Sequence, residues 1–320
     1  MIETEVWPNL TFYAKKKGIP LILANARLSE RSLKKGKKVR ALIKPAMQRL
    51  DITLAQSEAD AERLREAGCD PVVVLGNLKF DFTPNLPQLR TAIELRKLLQ
   101  RPLVLFASTR EGEEERFVKL IEKQEKDGSG PKPLWLIVPR HPQRFEQVRK
   151  LIEDHGLTVA KRSNLRDWRT VFGANGPQVI LGDSMGEMNF YYALADVAVM
   201  GGSFGPYGSQ SVIEPCGIGV PLIVGPSIFN FQTAIEEGKN EGALLQVKDE
   251  DDAMRAVEEL LEDKAKREAL SKQALLFSEK KRGATKKTMA VIDEILSGGE
   301  GDEELSLIHI SEPTRHLRSS

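Results

Sequence analysis

Short, uninterrupted apolar runs alternate with longer amphipathic stretches along most of this chain. Residues 20–25 (PLILAN) precede a helical stretch from Ser29, and 52–55 precede another over 58–67, which the run 72–75 follows. Downstream, 102–108 (PLVLFAS) leads into an acidic helix start at 111–115, 134–138 into 143–155, and 179–181 into 187–195. The runs 197–200 and 221–224 complete the series. Such runs, alternating with helical stretches, indicate parallel strands buried on both faces of an open α/β sheet. From Asp249 to Leu296 the pattern is helical throughout and highly charged. The runs form two sets that part between Asp81 and Leu95, which predicts two Rossmann-like domains, over 1–90 and 91–296. Residues 297–304 (SGGEGDEE) read as a flexible acidic spacer. The string 305–315 resembles a translated transposase sequencing adapter, so 297–320 are expected to be an artefactual tail.

Composition narrows the function classes. Forty-seven basic against 46 acidic residues leave a net charge of +1, so charge gives no case for nucleic-acid wrapping. Two cysteines, Cys69 and Cys216, cannot make a disulfide framework or a four-sulfur zinc site. The longest uncharged run, 215–235, is broken throughout by Gly, Pro, Asn and Gln and does not read as a membrane span. The stretch from Arg31 to Lys44 is strongly basic and holds no acidic residue. It reads either as a solvated helix face or as a patch that meets an anionic membrane surface.

Ligands of open α/β sheets bind beyond the carboxyl ends of the strands, so the strand-to-helix loops hold the candidate chemistry. After 134–138 comes Pro139-Arg140-His141-Pro142, where Arg140 offers a planar fork for a phosphate. After 179–181 comes 182–188 (GDSMGEM); Asp183 and Glu187 could accept from a sugar or base, or simply start a capped helix. The loop 201–214 (GGSFGPYGSQSVIE) carries four glycines in eight residues, an arrangement whose N–H groups suit a phosphate. Ser211 could cap the following helix, with Glu214 closing a capping box or reaching a ribose diol. No G-x-G-x-x-G, Walker A or zincin pattern is present, which removes the sequence support for dinucleotide, P-loop and zincin chemistry.

Seven strings occur in order: ETEVWPN (3–9), NARLSERS (25–32), GNLKFD (76–81), PRHPQRF (139–145), GDSMGEM (182–188), GGS (201–203) and GPSIFNF (225–231). Together they resemble the Kdo transferases, which move 3-deoxy-D-manno-oct-2-ulosonic acid from CMP-Kdo to a lipid A precursor. The resemblance implies a GT-B fold and an inverting, metal-independent transfer with no cofactor beyond the donor CMP-Kdo. It implies partners in CMP-Kdo, the lipid A precursor and a membrane surface, at the cytoplasmic face of the inner membrane. Position by position, it assigns CMP contact to Arg140, His141, Met185, Gly186, Glu187, Ser211, Val212, Ile213 and Glu214. Gly202, Ser203 and Gln210 are secondary candidates, and Glu3 and Lys79 match positions credited with transition-state stabilisation.

Two departures from the family pattern stand out. Ser211 occupies a position that is usually Asn. The family's catalytic base, a glutamate, precedes the E-T-E motif, so the N-terminal domain is expected to be incomplete and the chain, as given, not to transfer Kdo. The alternatives are another GT-B nucleotide-sugar enzyme, such as an epimerase, and a non-catalytic nucleotide-binding fragment.

Overall fold

The structure, a computed structural model, describes residues 1–127, 132–173 and 175–297. The chain divides into two compact units, one of Met1–Asp81 with the chain from Lys281 on, the other of Phe82–Lys280. The expected boundary at 90/91 is thus replaced by two crossings.

In the first unit β1 (Ile22–Ala26), β2 (Ile52–Ala55) and β3 (Val72–Val74) form a parallel sheet in that order. Ile2 adds a parallel bridge to Ala24. Side chains alternate across the sheet. Leu23 and Ala55 pack with Ala14, Met47 and Leu64 on one face. Ile52 and Leu54 pack with Leu75 and Val291 on the other. Val291 belongs to the helix Ala284–Leu296, which the sequence pattern had grouped with the second domain. Asp81 anchors that helix by accepting N–H bonds from Gly283 at 2.5 Å and Thr285 at 2.6 Å. The residues after 297 in the expected tail lie outside the described residues.

The second unit holds β4 (Leu103–Thr109), β5 (Leu134–Pro139), β6 (Val159–Lys161), β7 (Val179–Leu181), β8 (Val197–Met200), β9 (Leu222–Val224) and β10 (Leu245–Gln246). They form one parallel sheet in the order β10-β9-β8-β4-β5-β7-β6. Every residue of β5, β7 and β8 is buried, which is why these strands read as continuous apolar runs. The chain builds outward from β4 to one side and then returns to place β8 on its other flank. The switch point between β4 and β8 is where such a sheet opens a crevice for ligand. The charged C-terminal stretch is three helices, Glu250–Glu262, Lys264–Lys280 and Ala284–Leu296.

Candidate functional site

At the switch point the chain after β8 must pass against β4. A Cβ on Gly201 would lie 2.5 Å from both Ser108 O and Thr109 Cα, so only glycine fits. Gly202 then takes φ +70°. Three of the four loop glycines have committed N–H groups: Gly201 to Ala107 O (2.7 Å), Gly202 to Glu113 Oε2 (2.7 Å) and Gly208 to Ser227 Oγ (3.1 Å). They are therefore not the phosphate donors that glycine content alone suggested. Ser203 is buried, its hydroxyl donating to Met200 O and accepting from Gly225 N, so its side chain holds the loop.

Open donors follow the glycines. The N–H groups of Gln210, Ser211 and Val212 make no hydrogen bond among the described residues. They lead into the helix Ile213–Ile218, whose N-cap is Val212 and carries no side-chain cap. Ser211 Oγ accepts from Ile213 N only at 3.4 Å, and Glu214 closes no capping box. Val212 and Ile213 are buried as whole residues, backbone included, so the donors open to a ligand are those of Gln210 and Ser211.

Arg140 follows β5, its N–H bonded to Thr109 O at 3.0 Å and its exposed side chain making no hydrogen bond or ion pair among the described residues. Its charge is felt at Glu214: burial pushes that carboxyl up, and the Arg140 charge opposes the rise. His141 beside it is partly exposed. Arg140, the two open N–H groups and Glu214 thus share the carboxyl edge of β5, β4 and β8.

The loop after β7 contributes less than its acidic residues suggested. Asp183 accepts from Ser163 N (2.8 Å) and Ser163 Oγ (2.6 Å), so both its oxygens are engaged. Glu187 accepts from Arg162 at 2.7 Å and from the hydroxyls of Ser184 and Tyr191. Neither Asp183 nor Ser184 caps the helix Met188–Leu194, whose N-cap is Glu187 without a side-chain cap bond. Met185 is exposed, and Gly186 stands in open space at φ +78°.

In the first unit, Lys79 Nζ lies 2.9 Å from Glu3 Oε1, and Arg27 Nε lies 3.5 Å from Glu3 Oε2. Glu3 reaches this position at φ +59°, its N–H bonded to Ala24 O at 2.9 Å. Both residues stand beyond strand carboxyl ends, the edge where this class of sheet carries chemistry.

The sequence reading assigned no role to Glu113, Glu114, Arg144, Ser227 or Asn230. Asn230 Nδ2 donates to Tyr207 O at 2.8 Å, and its N–H to Gly208 O at 3.1 Å. The available signals were the acidic run after β4 and the string GPSIFNF. Among the described residues, no group of three or more His, Cys, Asp or Glu side chains is placed to hold a metal ion.

The sequence model of the 3-Deoxy-D-manno-octulosonic-acid transferase (kdotransferase) family matches residues 1–82, and that of Glycosyl transferases group 1 matches 143–276. The chain is 40% identical over 299 residues to a 3-deoxy-D-manno-octulosonic acid transferase of Bordetella pertussis, covering 92% of this chain and 68% of that protein. The chain belongs to the Kdo transferase family. A Haemophilus influenzae Kdo transferase is 33% identical, with 92% and 69% covered. Among solved structures, the C-terminal CMP-Kdo binding domain of WaaA from Acinetobacter baumannii is 31% identical with a TM-score of 0.55. That match covers 60% of this chain and 98% of the domain. Anabaena Alr3699/HepE in complex with UDP, at 13% identity and a TM-score of 0.58, covers 90% of this chain and 75% of its own and shares the fold alone. This Kdo transferase is accordingly a glycosyltransferase with the Rossmann-like parallel sheets of the GT-B class.

Proposed function

We propose that this Kdo transferase binds CMP-Kdo on its second unit and serves an inverting, metal-independent transfer to a lipid A precursor. The observation that carries this reading is that the unpaired Arg140 guanidinium and the open N–H groups of Gln210 and Ser211 lie in the loops that follow β5 and β8, the two strands flanking β4. Cleavage of the sugar–phosphate bond leaves negative charge on CMP. A guanidinium fork and fixed N–H dipoles stabilise that charge more as it develops, which is catalysis by preorganised electrostatics. They supply the positive field that a metal supplies in other transferases, so no cofactor is assigned. Glu214 is suited to the ribose hydroxyls, with His141, Met185, Gly186 and Glu187 completing the nucleotide contacts. Glu3 and Lys79 are assigned to the transition state, a carboxylate for the positive charge developing on the sugar and an ammonium for the phosphate.

A membrane-surface role at the cytoplasmic face of the inner membrane is part of the same proposal. The helices Glu30–Lys38 and Arg40–Met47 present Lys34, Lys35, Lys38 and Arg40 with exposed Val39 and Leu42 among them. Cations around apolar side chains suit an anionic lipid interface. No helix among the described residues is long and apolar enough to cross a membrane.

Calorimetric titration with CMP and with UDP tests the donor reading, and preference for UDP sinks it. Incubation with CMP-Kdo and a tetraacylated lipid A precursor, with and without EDTA, tests the transfer and its metal independence.

A further inference from the structure

Two consecutive carboxylates with no ligand-facing role lie at the start of the helix Glu113–Asp127. Glu113 is 0% and Glu114 1% exposed. Burying an ionised carboxylate is costly unless it is fully hydrogen-bonded, so two in a row call for partners. Each has them, in a different loop.

Glu113 accepts from Gly202 N at 2.7 Å, Phe204 N at 2.9 Å and Arg110 N at 2.8 Å. Its oxygens face N–H donors from the loop after β8. Gly202 passes this constraint on, because Gly202 O accepts from Ser209 N at 2.7 Å, and the open N–H groups begin at the next residue, Gln210. Ser209 itself sits at φ +73°, a conformation that needs fixed surroundings.

Glu114 accepts from Thr109 Oγ1 at 3.1 Å and from Arg144 Nη2 at 3.1 Å. Both partners hold the loop after β5. Thr109 O takes the Arg140 N–H, and Arg144 N closes a turn onto His141 O at 3.0 Å. Of the two arginines in PRHPQRF, Arg144 is therefore the anchor, and Arg140 is left for ligand.

We propose that Glu113 and Glu114 are the positioning residues of the nucleotide site, Glu113 setting the Gly-rich loop and Glu114 setting the loop of Arg140. One helix turn thereby fixes the distance between the two halves of a phosphate site. The inference rests on the reading of that site as the CMP site.

The two residues differ in what replaces them. Glu113 is surrounded by donors, so a glutamine there must turn its own N–H toward one of them. Glu114 faces one cation and one hydroxyl, and a hydroxyl also accepts, so a glutamine can serve both. The experiment is calorimetric titration of the full chain and its E113Q, E113D, E114Q, E114A and R140A variants with CMP. Hydrogen exchange of the segments 201–209 and 140–146 is followed alongside. E113Q is expected to weaken CMP about tenfold or more and E114A similarly, while E114Q stays within about threefold of the parent. Exchange should rise in 201–209 for E113Q and in 140–146 for E114A. Should E113Q not fold, E113D, which keeps the charge but retracts it, is read by the same criteria.

CMP affinity unchanged in E113Q, or in E113D if that variant is used, while R140A is weakened, overturns the positioning role. So does equal loosening of both segments by either substitution, which describes general destabilisation. If R140A also binds CMP like the parent, the site reading fails on its own, and segment-selective exchange then decides the positioning claim.

Discussion

Asn25 Oδ1 accepts the Leu78 N–H at 3.0 Å, which ties the end of β1 to the turn that carries Lys79. Asn25 is buried at φ +52°, and its carbonyl accepts from Gln56 Nε2 at 2.9 Å. One residue thus joins the ends of three parallel strands, and the neighbour on its N-terminal side, Ala24, receives the Glu3 N–H. The Glu3–Lys79 pair stands on this joint.

Replacing Asn25 by alanine leaves the Leu78 N–H unpaired and removes the polar side chain that makes the left-handed conformation tolerable there. The expected loss is about 2–4 kcal/mol, adding an unsatisfied group to left-handed strain. Asn25→Asp keeps the acceptor and should recover most of it. Urea unfolding of the three proteins checks the order, and equal stability of Asn25→Ala and parent contradicts it.

Arg140→Ala should weaken CMP by about 1.5–3 kcal/mol, the worth of a charge-assisted bond. Because the side chain is exposed and unpaired among the described residues, the melting temperature should stay where it is. Calorimetry and thermal melting on the same samples separate the two effects.

Gly201→Ala is expected to be among the most damaging single-methyl additions in the second unit. The new carbon meets backbone of β4 rather than a side chain that can swing away. Overpacking of this kind costs about 1–3 kcal/mol, and here it also displaces the loop that leads to Gln210. Gly186→Ala, which meets nothing within 4 Å, provides the contrast, its cost coming from φ alone. Denaturant midpoints for the pair test the distinction.

Both thiols should be silent in the folded protein. Cys216 is fully buried, and burial pushes it up to about 12; burial likewise raises Cys69. A thiol rather than thiolate, without access, is a poor nucleophile. Titration with an aromatic disulfide reagent at pH 8 should find no rapidly reacting thiol before denaturation and both after it.

Asp81 gives the first unit a specific acid sensitivity. Burial raises its carboxyl, but the Thr285 side chain, the Gly283 and Thr285 N–H groups and the charge of Arg282 lower it further, for a net fall below 3.8. A depressed carboxylate stabilises the fold above its unfolded pKa, and that contribution is lost as pH falls through the folded value. The anchoring of the last helix should therefore weaken only below about pH 4. Asp81→Asn should flatten this part of the stability profile, and an unaltered profile speaks against the anchor.

The strands that the sequence made legible are those buried on both faces, such as β5 and β8, where period and composition agree. β6 and β10 escaped notice because each is very short and only half-buried, so neither leaves a pattern. The candidate loops were legible as motifs, but the fate of their N–H groups was not. Glycine content says that backbone can approach closely, whereas Glu113, distant in sequence, decides which donors are already occupied. Similarly, Arg140 and Arg144 are the same residue type in one string, and only the position of Glu114 separates ligand contact from anchor. The last helix was misgrouped because charge and period are local properties. Its partners Ile52, Leu54 and Leu75 lie on the far side of a whole folded unit in sequence.

That last helix also imposes an order on synthesis. The first sheet emerges from the ribosome with the Ile52–Leu54–Leu75 face uncovered, and Val291 arrives only after Phe82–Lys280 have been translated. At about 5–20 residues per second, the interval is on the order of tens of seconds, long compared with the folding of a compact unit. The nascent chain must therefore carry an apolar sheet face through that interval. The later-made unit has time to fold before the earlier one is sealed.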